Sequence, residues 1–490
     1  MNINEFICQI SEELGFPPTE DQHHAMLTFG RFLADRNTNT VMVMRGSAGT
    51  GKTSLAGAMV RTMKRLGQKL TLMAPTGRAA KVFALHSGLP AYTIHRRIYR
   101  EKAYHGLDGQ FLLNNNLYHS MLFVVDEASM ISTSDNSEGI RSNAFGSGSL
   151  LDDLIQYVYS GQNCRLLLIG DSAQLPPVGE EEAPALSTEI LRGYGLKVYE
   201  TNLDMVVRQN GGSGILWNAT ALRRLITHDE ATKLPIIRFK GFADIIRVPG
   251  DELIESLASS YSLEGKDETI VITRSNKRAN IYNQGIRNTV LDREEALCGG
   301  DRLMVVRNNY YWTDKEQREH PKEALPLSFL ANGDTAEVLR VRNIREFYGF
   351  HFADVWLRFP DYDNYEMQLT VIMDSLSTEA PALTHEQNER LFGKVMEDYA
   401  DLHTKPERLK ALRQDIYFNA LQVKFAYAVT CHKAQGGQWR HVYLDQGYMT
   451  DDMLTPDYIH WLYTAFTRAT SKLFLVNWPK NQCDTTDEDE

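Results

Sequence analysis

The chain has 490 residues, of which 43% are hydrophobic, which suits about three or four ordinary globular domains. Its formal net charge of −11 argues mildly against a nucleic-acid partner, because Lys and Arg drive phosphate binding. It contains no run of eighteen apolar residues, and residues 1–5 lack the basic start of a signal peptide, so we expect no membrane segment and a cytoplasmic location. The five cysteines are far apart and without metal-ligand spacing, which argues against a disulfide framework or a zinc site.

Short apolar strands alternate with helical segments from residue 40 to residue 198. The strands are predicted at 40–44, 70–74, 122–125 and 165–169. This alternation is typical of a parallel sheet with crossover helices. A second alternation is predicted from the apolar runs at 269–273, 442–444 and 473–476. Two α/β cores are the simplest account of the pattern.

Other segments break the two alternations. Strand-type residues and turn signals in 303–373 predict a small β-barrel inserted into the second core. Residues 384–419 are charged with helical spacing, which predicts a helical pair facing solvent. Turn residues near 99–113 predict a protruding hairpin, with a plain surface turn as the alternative. Residues 132–149 are rich in Ser, Asn and Gly and are predicted to form a loop.

A phosphate-binding loop is the clearest chemical motif. Residues 46–53 match G-x-x-x-x-G-K-[ST] between the strand at 40–44 and a helical run at 54–66. Backbone N–H groups of such a loop cradle phosphates, Lys52 can reach the β- and γ-phosphates, and the Thr53 hydroxyl can ligate Mg²⁺. The predicted nucleotide-binding residues here are Gly46, Ser47, Ala48, Gly49, Thr50, Gly51, Lys52 and Thr53.

Acidic and amide side chains follow two later strands. Asp126 and Glu127 come directly after the strand at 122–125. We expect Asp126 to hold Mg²⁺ and Glu127 to orient or deprotonate a water molecule. Gln174 follows the strand at 165–169 and is expected on the same sheet edge, near a γ-phosphate. Together with Lys52, these residues predict binding and hydrolysis of a nucleoside triphosphate.

The chain also carries an ordered set of segments that extends far beyond the phosphate loop. In these segments it resembles the superfamily 1 helicases, specifically the branch that contains the Dda and RecD helicases. The resemblance covers nearly the whole chain and rests on residues 19–22, 46–53, 74–81, 93–95, 126–130, 170–177, 207–209, 432–436 and 463–468.

This resemblance implies an α/β fold with two RecA-like parallel-sheet cores. A hairpin is inserted in the first core, and an SH3-like β-barrel plus helices is inserted in the second. The implied boundaries are 1–200 for the first core with its hairpin at about 96–117, 201–300 and 420–480 for the second core, 301–419 for the inserted domain, and 481–490 for an acidic tail.

The resemblance also implies roles for single residues. Gln22 would read the adenine, although a surface helix position is the alternative. Arg208 and Arg468 would contact the γ-phosphate from the second core, unless they form structural ion pairs. Gln174 would link hydrolysis to closure of the cleft, and Gly436 would belong to the nucleotide site.

A second implied set concerns DNA. Residues of both cores would lie along one single strand, and Phe111 would form or support the apolar tip of a strand-separating hairpin. The implied DNA-contacting residues are Pro75, Thr76, Arg78, His95, His432 and Lys433.

The resulting hypothesis is an ATP- and Mg²⁺-dependent helicase that moves 5′ to 3′ on single-stranded and forked DNA in replication, repair or recombination. It is expected to act as a monomer, with no membrane partner and with protein partners drawn from those pathways. A motor subunit of a nuclease complex, an RNA-directed relative and a non-unwinding ATP-gated clamp stay open. The acidic excess at 180–182 and 484–490 need not touch DNA.

Overall fold

The computed structural model describes residues 3–101, 111–133, 147–205, 212–227, 234–322, 325–327, 329–450 and 453–484. The predicted loop tip at 102–110, most of the loop at 132–149, and 485–490 of the acidic tail lie outside these ranges.

The helices and strands alternate over most of the chain. The helices are α1 (Ile3–Leu14), α2 (Glu20–Ala34), α3 (Lys52–Arg65), α4 (Gly77–Ser87), α5 (Ile94–Ile98), α6 (Leu150–Ser160), α7 (Thr188–Gly193), α8 (Gly214–Thr227), α9 (Leu253–Leu263), α10 (Asn276–Gly285), α11 (Tyr311–Glu319), α12 (Asp374–Ser377), α13 (His385–Asp398), α14 (Lys405–Arg413), α15 (Cys431–Ala434) and α16 (Pro456–Phe466). The strands are β1 (Thr40–Gly46), β2 (Leu70–Ala74), β3 (Ala91–Thr93), β4 (Tyr99–Glu101), β5 (Phe111–Leu113), β6 (Leu122–Val125), β7 (Arg165–Gly170), β8 (Lys197–Leu203), β9 (Ile245–Val248), β10 (Thr269–Thr273), β11 (Arg302–Val305), β12 (Thr335–Phe347), β13 (Phe350–Phe359), β14 (Tyr365–Ile372), β15 (Leu421–Phe425), β16 (Ala428–Thr430), β17 (Trp439–Asp445) and β18 (Ala469–Val476).

The first core is a parallel sheet in the order β3-β2-β6-β7-β1-β8. Alternate residues of a strand point to opposite faces, and β1 shows the result. Val41 and Val43 pack in a core with α6, whereas Met42 and Met44 pack in a second core with α1, α2 and α3. Because helices cover both faces, β1 is a nearly continuous apolar run.

The carboxyl ends of β6, β7 and β1 lie side by side, because these strands are neighbours in the sheet. They deliver Asp126, Asp171 and the loop after Gly46 to one edge. In an open parallel sheet this edge is where ligands bind. The first sheet therefore brings together the phosphate loop and the carboxylates predicted from the sequence.

The second core is a parallel sheet in the order β16-β10-β17-β18-β9. Its apolar residues pack against α8 and α16 on one face, with Leu222, Ile459 and Leu462 among the buried residues. The amino end of β17 and the carboxyl end of α16 face the first core, as the hydrogen bonds described below show. The cleft between the two cores therefore lies at the phosphate loop.

A closed β-barrel of β11, β12, β13, β14 and β15 is inserted in the second core. The helices α13 and α14 pack on its end through Leu391, Val395 and Leu412, which bury Phe350 and Phe352. One face of the predicted helical pair is thus covered by the barrel. The strands β4 and β5 pair antiparallel in the first core. The expected fold class, two parallel-sheet cores with a hairpin and a barrel insertion, is confirmed.

The barrel also contacts the first core. The Asp334 carboxylate accepts a hydrogen bond from the Tyr362 hydroxyl at 3.0 Å, and a Cβ added to Gly77 would lie 2.7 Å from Asp334 Oδ1. Nearby, Lys81 Nζ donates to Pro360 O at 2.8 Å and pairs with Asp361 at 3.3 Å. Gly77 opens α4, so the absence of a side chain there permits the close approach of the barrel.

We expect Asp334 to make stability depend on pH. Burial, together with the negative charge of Asp361, raises the pKa of Asp334 to about 7, although hydrogen bonds from Ala331 N–H and Tyr362 oppose the shift. Since the unfolded chain ionises near pH ~4, the folded state binds the extra proton between pH ~4 and pH ~7. Stability then falls as pH rises through that window, by at most ~4 kcal/mol, and levels off above it.

The variant Asp334→Asn removes this ionisation and keeps one acceptor oxygen. The melting temperature of the variant minus that of the parent protein is expected to be higher at pH 8 than at pH 5.5. An equal difference at the two pH values would contradict a neutral Asp334 in the folded protein.

Within the described ranges, no helix combines the length and the apolarity that crossing a bilayer requires. In the same ranges, no group of three or more His, Cys, Asp or Glu side chains is arranged as a metal site. All five cysteines are free thiols.

Candidate nucleotide and nucleic-acid sites

The phosphate loop runs from the end of β1 to the start of α3. Gly49 and Gly51 adopt φ values of +80° and +75°, a region that side chains disfavour and glycine allows. The Lys52 ammonium donates to Gly46 O at 3.1 Å, and the Thr50 hydroxyl donates to Ser47 O at 2.8 Å. These bonds hold the lysine amine beside the loop, and Thr53 lies in the first turn of α3.

The carboxylates lie deep at the same edge. Burial, followed by the charge of Glu127, raises the pKa of Asp126 to about 6. Glu127 has a φ of +53°, which is uncommon for a residue with a side chain and is typical of functional sites. Its Oε2 atom is buried and makes no hydrogen bond within the described part of the chain. This carboxylate oxygen is therefore available to a ligand or a water molecule.

Gln174 supplies a second such atom. Its side chain is 4% exposed, and its Oε1 has no hydrogen-bond partner among the residues that the structure describes. Buried polar atoms without partners are costly. Glu127 Oε2 and Gln174 Oε1 are two such atoms at one sheet edge, which fits a site that receives a polar ligand.

The residues present also fit a Mg²⁺ ion held with a nucleotide. Asp126 supplies one carboxylate and Thr53 one hydroxyl, both hard oxygen donors. Magnesium in phosphate-transfer sites takes its other ligands from phosphates and water. A cluster of three protein carboxylates is therefore not needed.

Gln22 lies against the phosphate loop. It is fully buried, and its Nε2 donates to Thr50 O at 3.0 Å. Its Oε1 accepts from Thr19 N at 3.1 Å as part of the cap of α2. The surface helix position considered from the sequence is thus wrong for Gln22, while recognition of adenine stays a prediction.

The second core contacts this loop directly. The Tyr463 hydroxyl, on α16, accepts from Ala48 N at 3.0 Å and donates to Asp171 Oδ2 at 2.6 Å. Its neighbour Thr464 accepts from Leu175 N at 2.7 Å. These bonds join the phosphate loop, the segment after β7 and α16 into one network across the cleft.

Two family descriptions match the chain. Residues 20–242 match the AAA domain, and residues 425–476 match the UvrD-like helicase C-terminal domain. The first contains the phosphate loop and its carboxylates, and the second contains Tyr463 and Arg468. Together with the RecD2 relative described below, the two matches support a superfamily 1 helicase of the RecD-like type. The same comparisons indicate an ATP-dependent helicase, a hydrolase, and the predicted resemblance is confirmed.

Individual relatives are distant from this chain in sequence. An uncharacterised protein of Acanthamoeba polyphaga mimivirus is 22% identical over 90% of the chain and 96% of its own length. The ATP-dependent RecD2 DNA helicase of Deinococcus radiodurans is 32% identical over 28% of the chain, which spans 16% of that protein. An uncharacterised protein of Methanocaldococcus jannaschii is 24% identical over 89% of the chain and 36% of its own length.

Solved structures show a loose likeness. A Pif1 helicase from Bacteroides in complex with ADP-AlF3 and single-stranded DNA has 15% identity and a TM-score of 0.46, and the match covers 95% of the present chain and 94% of the Pif1 chain. A Pif1 helicase from Candida albicans has 14% identity and a TM-score of 0.43, covering 95% and 96%.

Of the two predicted arginine fingers, Arg468 is placed differently from expectation. The Arg468 side chain is 3% exposed and donates to Gly437 O and Thr464 O, both at 3.1 Å. It is thus bonded to its own core. Arg208 lies outside the described residues. The roles of both residues at the γ-phosphate stay predictions.

Gly436 joins the two cores elsewhere. Its φ is +71°, and an added Cβ would lie 3.0 Å from the Ala79 side chain and 3.1 Å from Thr76 Oγ1. It therefore packs against α4 of the first core in this structure. A contact between Gly436 and the nucleotide stays a prediction.

Some DNA residues predicted on the first core meet the second core. The Arg78 guanidinium lies 4.1 Å from the Trp439 ring centroid and donates to Gln438 O at 2.9 Å. Thr76 Oγ1 accepts from Ala79 N at 3.2 Å as the cap of α4, directly after Pro75. The structure thus brings Pro75, Thr76 and Arg78 to the cleft between the cores.

The other predicted DNA residues have shifted pKa values. Burial lowers the pKa of His95 to about 4, so this ring is neutral near pH 7. Partial desolvation by the surrounding protein lowers the pKa of His432, although its side chain still reaches solvent. Desolvation also lowers the pKa of Lys433 to about 7. Phe111 is the first residue of β5, and its side chain lies outside the described part of the structure.

Sequence reasoning missed Arg223 of α8. Its guanidinium donates to Ser47 Oγ of the phosphate loop at 2.6 Å. No local motif marks this arginine, because it lies 176 positions from its partner. The only sequence signal is a basic residue on a helix that follows the segment 207–209.

Proposed function

We propose that this helicase hydrolyses ATP with Mg²⁺ to move along single-stranded DNA and to unwind duplex DNA ahead of it. The proposal includes 5′ to 3′ movement, drawn from the resemblance to the Dda and RecD branch, and work as a monomer in the cytoplasm during replication, repair or recombination. Single-stranded and forked DNA are the proposed substrates.

The hydrogen bond that Ala48 N–H donates to the Tyr463 hydroxyl carries this proposal. This bond joins the phosphate loop of the first core to α16 of the second core. Closure of the cleft between the cores therefore depends on what occupies the loop. Binding of ATP must reorganise this bond, because loop N–H groups are the donors for phosphate oxygens. Each cycle of binding and hydrolysis then changes the contact between the cores.

The chain's own residues perform the proposed chemistry in sequence. The loop N–H groups and Lys52 bind the phosphates, Glu127 positions a water molecule and takes its proton, and Lys52 stabilises the developing charge. Mg²⁺ held by Thr53 and Asp126 would neutralise phosphate charge. Gln174, which lies beside the segment that Thr464 and Tyr463 hold, would pass the state of the γ-phosphate to the second core.

The single strand of DNA is proposed to bind across the same cleft, at the contact between α4 of the first core and the segment 436–438 of the second. Arg78 and Thr76 contact the segment 436–438, and His432 and Lys433 lie just before it in sequence. Cleft motion would therefore change the spacing of the residues proposed to bind the strand. Alternating grip by the two cores yields directed stepping.

Stimulation of ATP hydrolysis tests this proposal. We expect single-stranded DNA to raise the rate of phosphate release at least ~10-fold, because DNA would order the two cores for hydrolysis. Single-stranded RNA and blunt duplex DNA of the same length are the comparison ligands. Equal rates with and without single-stranded DNA would contradict the proposed motor.

A further inference from the structure

A charged side chain of the second core enters the nucleotide site where no motif predicts one. Arg223 Nη1 donates to Ser47 Oγ at 2.6 Å, and Ser47 is 8% exposed within the phosphate loop. The positive charge of the same guanidinium opposes the rise that burial causes in the pKa of Tyr463. The Tyr463 hydroxyl accepts a hydrogen bond from Ala48 N–H. Two helices of the second core, α8 and α16, thus present side chains to adjacent residues of one loop.

The present partners of Arg223 hold it weakly. Its ion pair with Asp204 spans 3.3 Å, and the Asp204 side chain is 73% exposed. Exposed ion pairs contribute about 0–1 kcal/mol, and the bond to Ser47 is to a neutral hydroxyl. A guanidinium has five donors and prefers charged, planar or phosphate partners. Arg223 can therefore exchange both partners for a phosphate.

The helix that carries Arg223 is firmly anchored. Asp244 accepts at 2.7 Å from both Ser213 Oγ and Gly214 N at the start of α8. Asn218 Nδ2 donates to Arg238 O at 2.9 Å. The guanidinium thus extends toward the first core from a fixed base in the second, which is the arrangement that an arginine finger requires.

Arg468 offers a contrast within the described part of the second core. Its guanidinium donates to two backbone carbonyls and to the Thr467 hydroxyl. Bringing Arg468 to the phosphate loop would break these bonds in a buried site. Arg223 needs no such rearrangement, because it already contacts the loop.

We propose that Arg223 is a catalytic residue that crosses the cleft and binds the terminal phosphate of ATP. This inference rests on the proposed ATPase cycle and adds to it the residue that distinguishes ATP from ADP. When the terminal phosphate is absent, Arg223 rests on Ser47 and Asp204. When it is present, the guanidinium stabilises the charge that develops during hydrolysis.

The test compares Arg223→Ala and Arg223→Lys with Arg224→Ala. Arg224 is the neighbouring residue and is exposed in the last turn of α8. The variant Arg224→Ala therefore removes the same charge as Arg223→Ala. The measurements are kcat and KM of ATP hydrolysis with single-stranded DNA, and the affinities of fluorescent ADP and of a non-hydrolysable fluorescent ATP analogue. The melting temperature of each variant verifies folding.

We expect Arg223→Ala to lower kcat at least ~10³-fold. The affinity for the ATP analogue should fall ~10-fold, as for a lost charge-assisted hydrogen bond, while ADP affinity stays within ~2-fold. Added guanidinium at millimolar concentration should restore part of the turnover of Arg223→Ala. Arg224→Ala should match the parent protein.

Two results would overturn the assignment. One is turnover of Arg223→Ala within a few-fold of the parent protein. The other is an equal loss of affinity for ADP and the ATP analogue, which indicates a purely structural role. If the parent protein itself hydrolyses no ATP, the proposed function fails, but the ratio of the two affinities still decides the assignment of Arg223.

Discussion

Lys52→Ala is expected to abolish ATP hydrolysis, with a loss of at least ~10³-fold in turnover. Removing one preorganised donor to developing charge costs about 10²–10³-fold, and Lys52 also carries a full charge next to the loop. Its ammonium bonds to Gly46 O, so it is already placed where phosphates would lie. The measurement is phosphate release at saturating ATP and single-stranded DNA.

The matched control is Lys64→Ala. Lys64 lies on the same helix, α3, and is exposed in its last turn, so this variant removes the same charge without touching the loop. It should retain the activity of the parent protein. Turnover of Lys52→Ala above a tenth of that of the parent would show that hydrolysis takes place at another site.

Glu127→Gln is expected to separate binding from chemistry. Glutamine keeps the size of the side chain and loses the base, so nucleotide affinity should stay within ~3-fold while turnover falls by about 10²–10⁴-fold. Single-turnover hydrolysis and fluorescent nucleotide titration measure the two effects. The Oε2 atom of Glu127 motivates this expectation, because it is buried and makes no hydrogen bond to any residue that the structure describes.

A Glu127→Gln enzyme with normal turnover would mean that another group activates water. Asp126 is one candidate, since it adjoins Glu127 in sequence and its carboxylate accepts from Glu127 N at 2.9 Å. A variant that loses nucleotide binding as well would indicate instead that Glu127 shapes the loop.

Much of the two cores was predictable from apolar runs. The strands expected at 70–74, 122–125 and 269–273 coincide with β2, β6 and β10, because buried parallel strands must be nearly continuous apolar segments. The edge strand β8 was not predicted. It mixes Lys, Glu, Thr and Asn with apolar residues, since one of its edges and part of its surface meet solvent.

The barrel was predictable in kind but not in detail. Turn residues marked its strands, yet β12 and β13 run to Phe347 and Phe359, with register shifts between them. The parallel pairing of β14 with β15 joins residues about fifty positions apart. Such pairing depends on closure of the whole barrel, which no local pattern encodes.

Part of the candidate site could likewise be predicted from the sequence, and part of it could not. The phosphate loop, Asp126 and Glu127 could be located because strand, loop and helix occur together within a short stretch of sequence. The partners of Arg223, Tyr463 and Arg468 could not, because each depends on how the two cores pack. Resemblance assigned Arg468 to the phosphates, whereas the structure shows Arg223 at the loop.

Strand release from two matched partial duplexes, one with a 5′ single-stranded tail and one with a 3′ tail, tests the central claim most directly. The assay uses the full chain with ATP and Mg²⁺, and Lys52→Ala serves as the blank. The proposed motor predicts release from the 5′-tailed DNA alone. ATP hydrolysis that depends on the tail, without strand release from either duplex, would contradict unwinding. That result would favour an ATP-gated clamp or a motor that needs a partner.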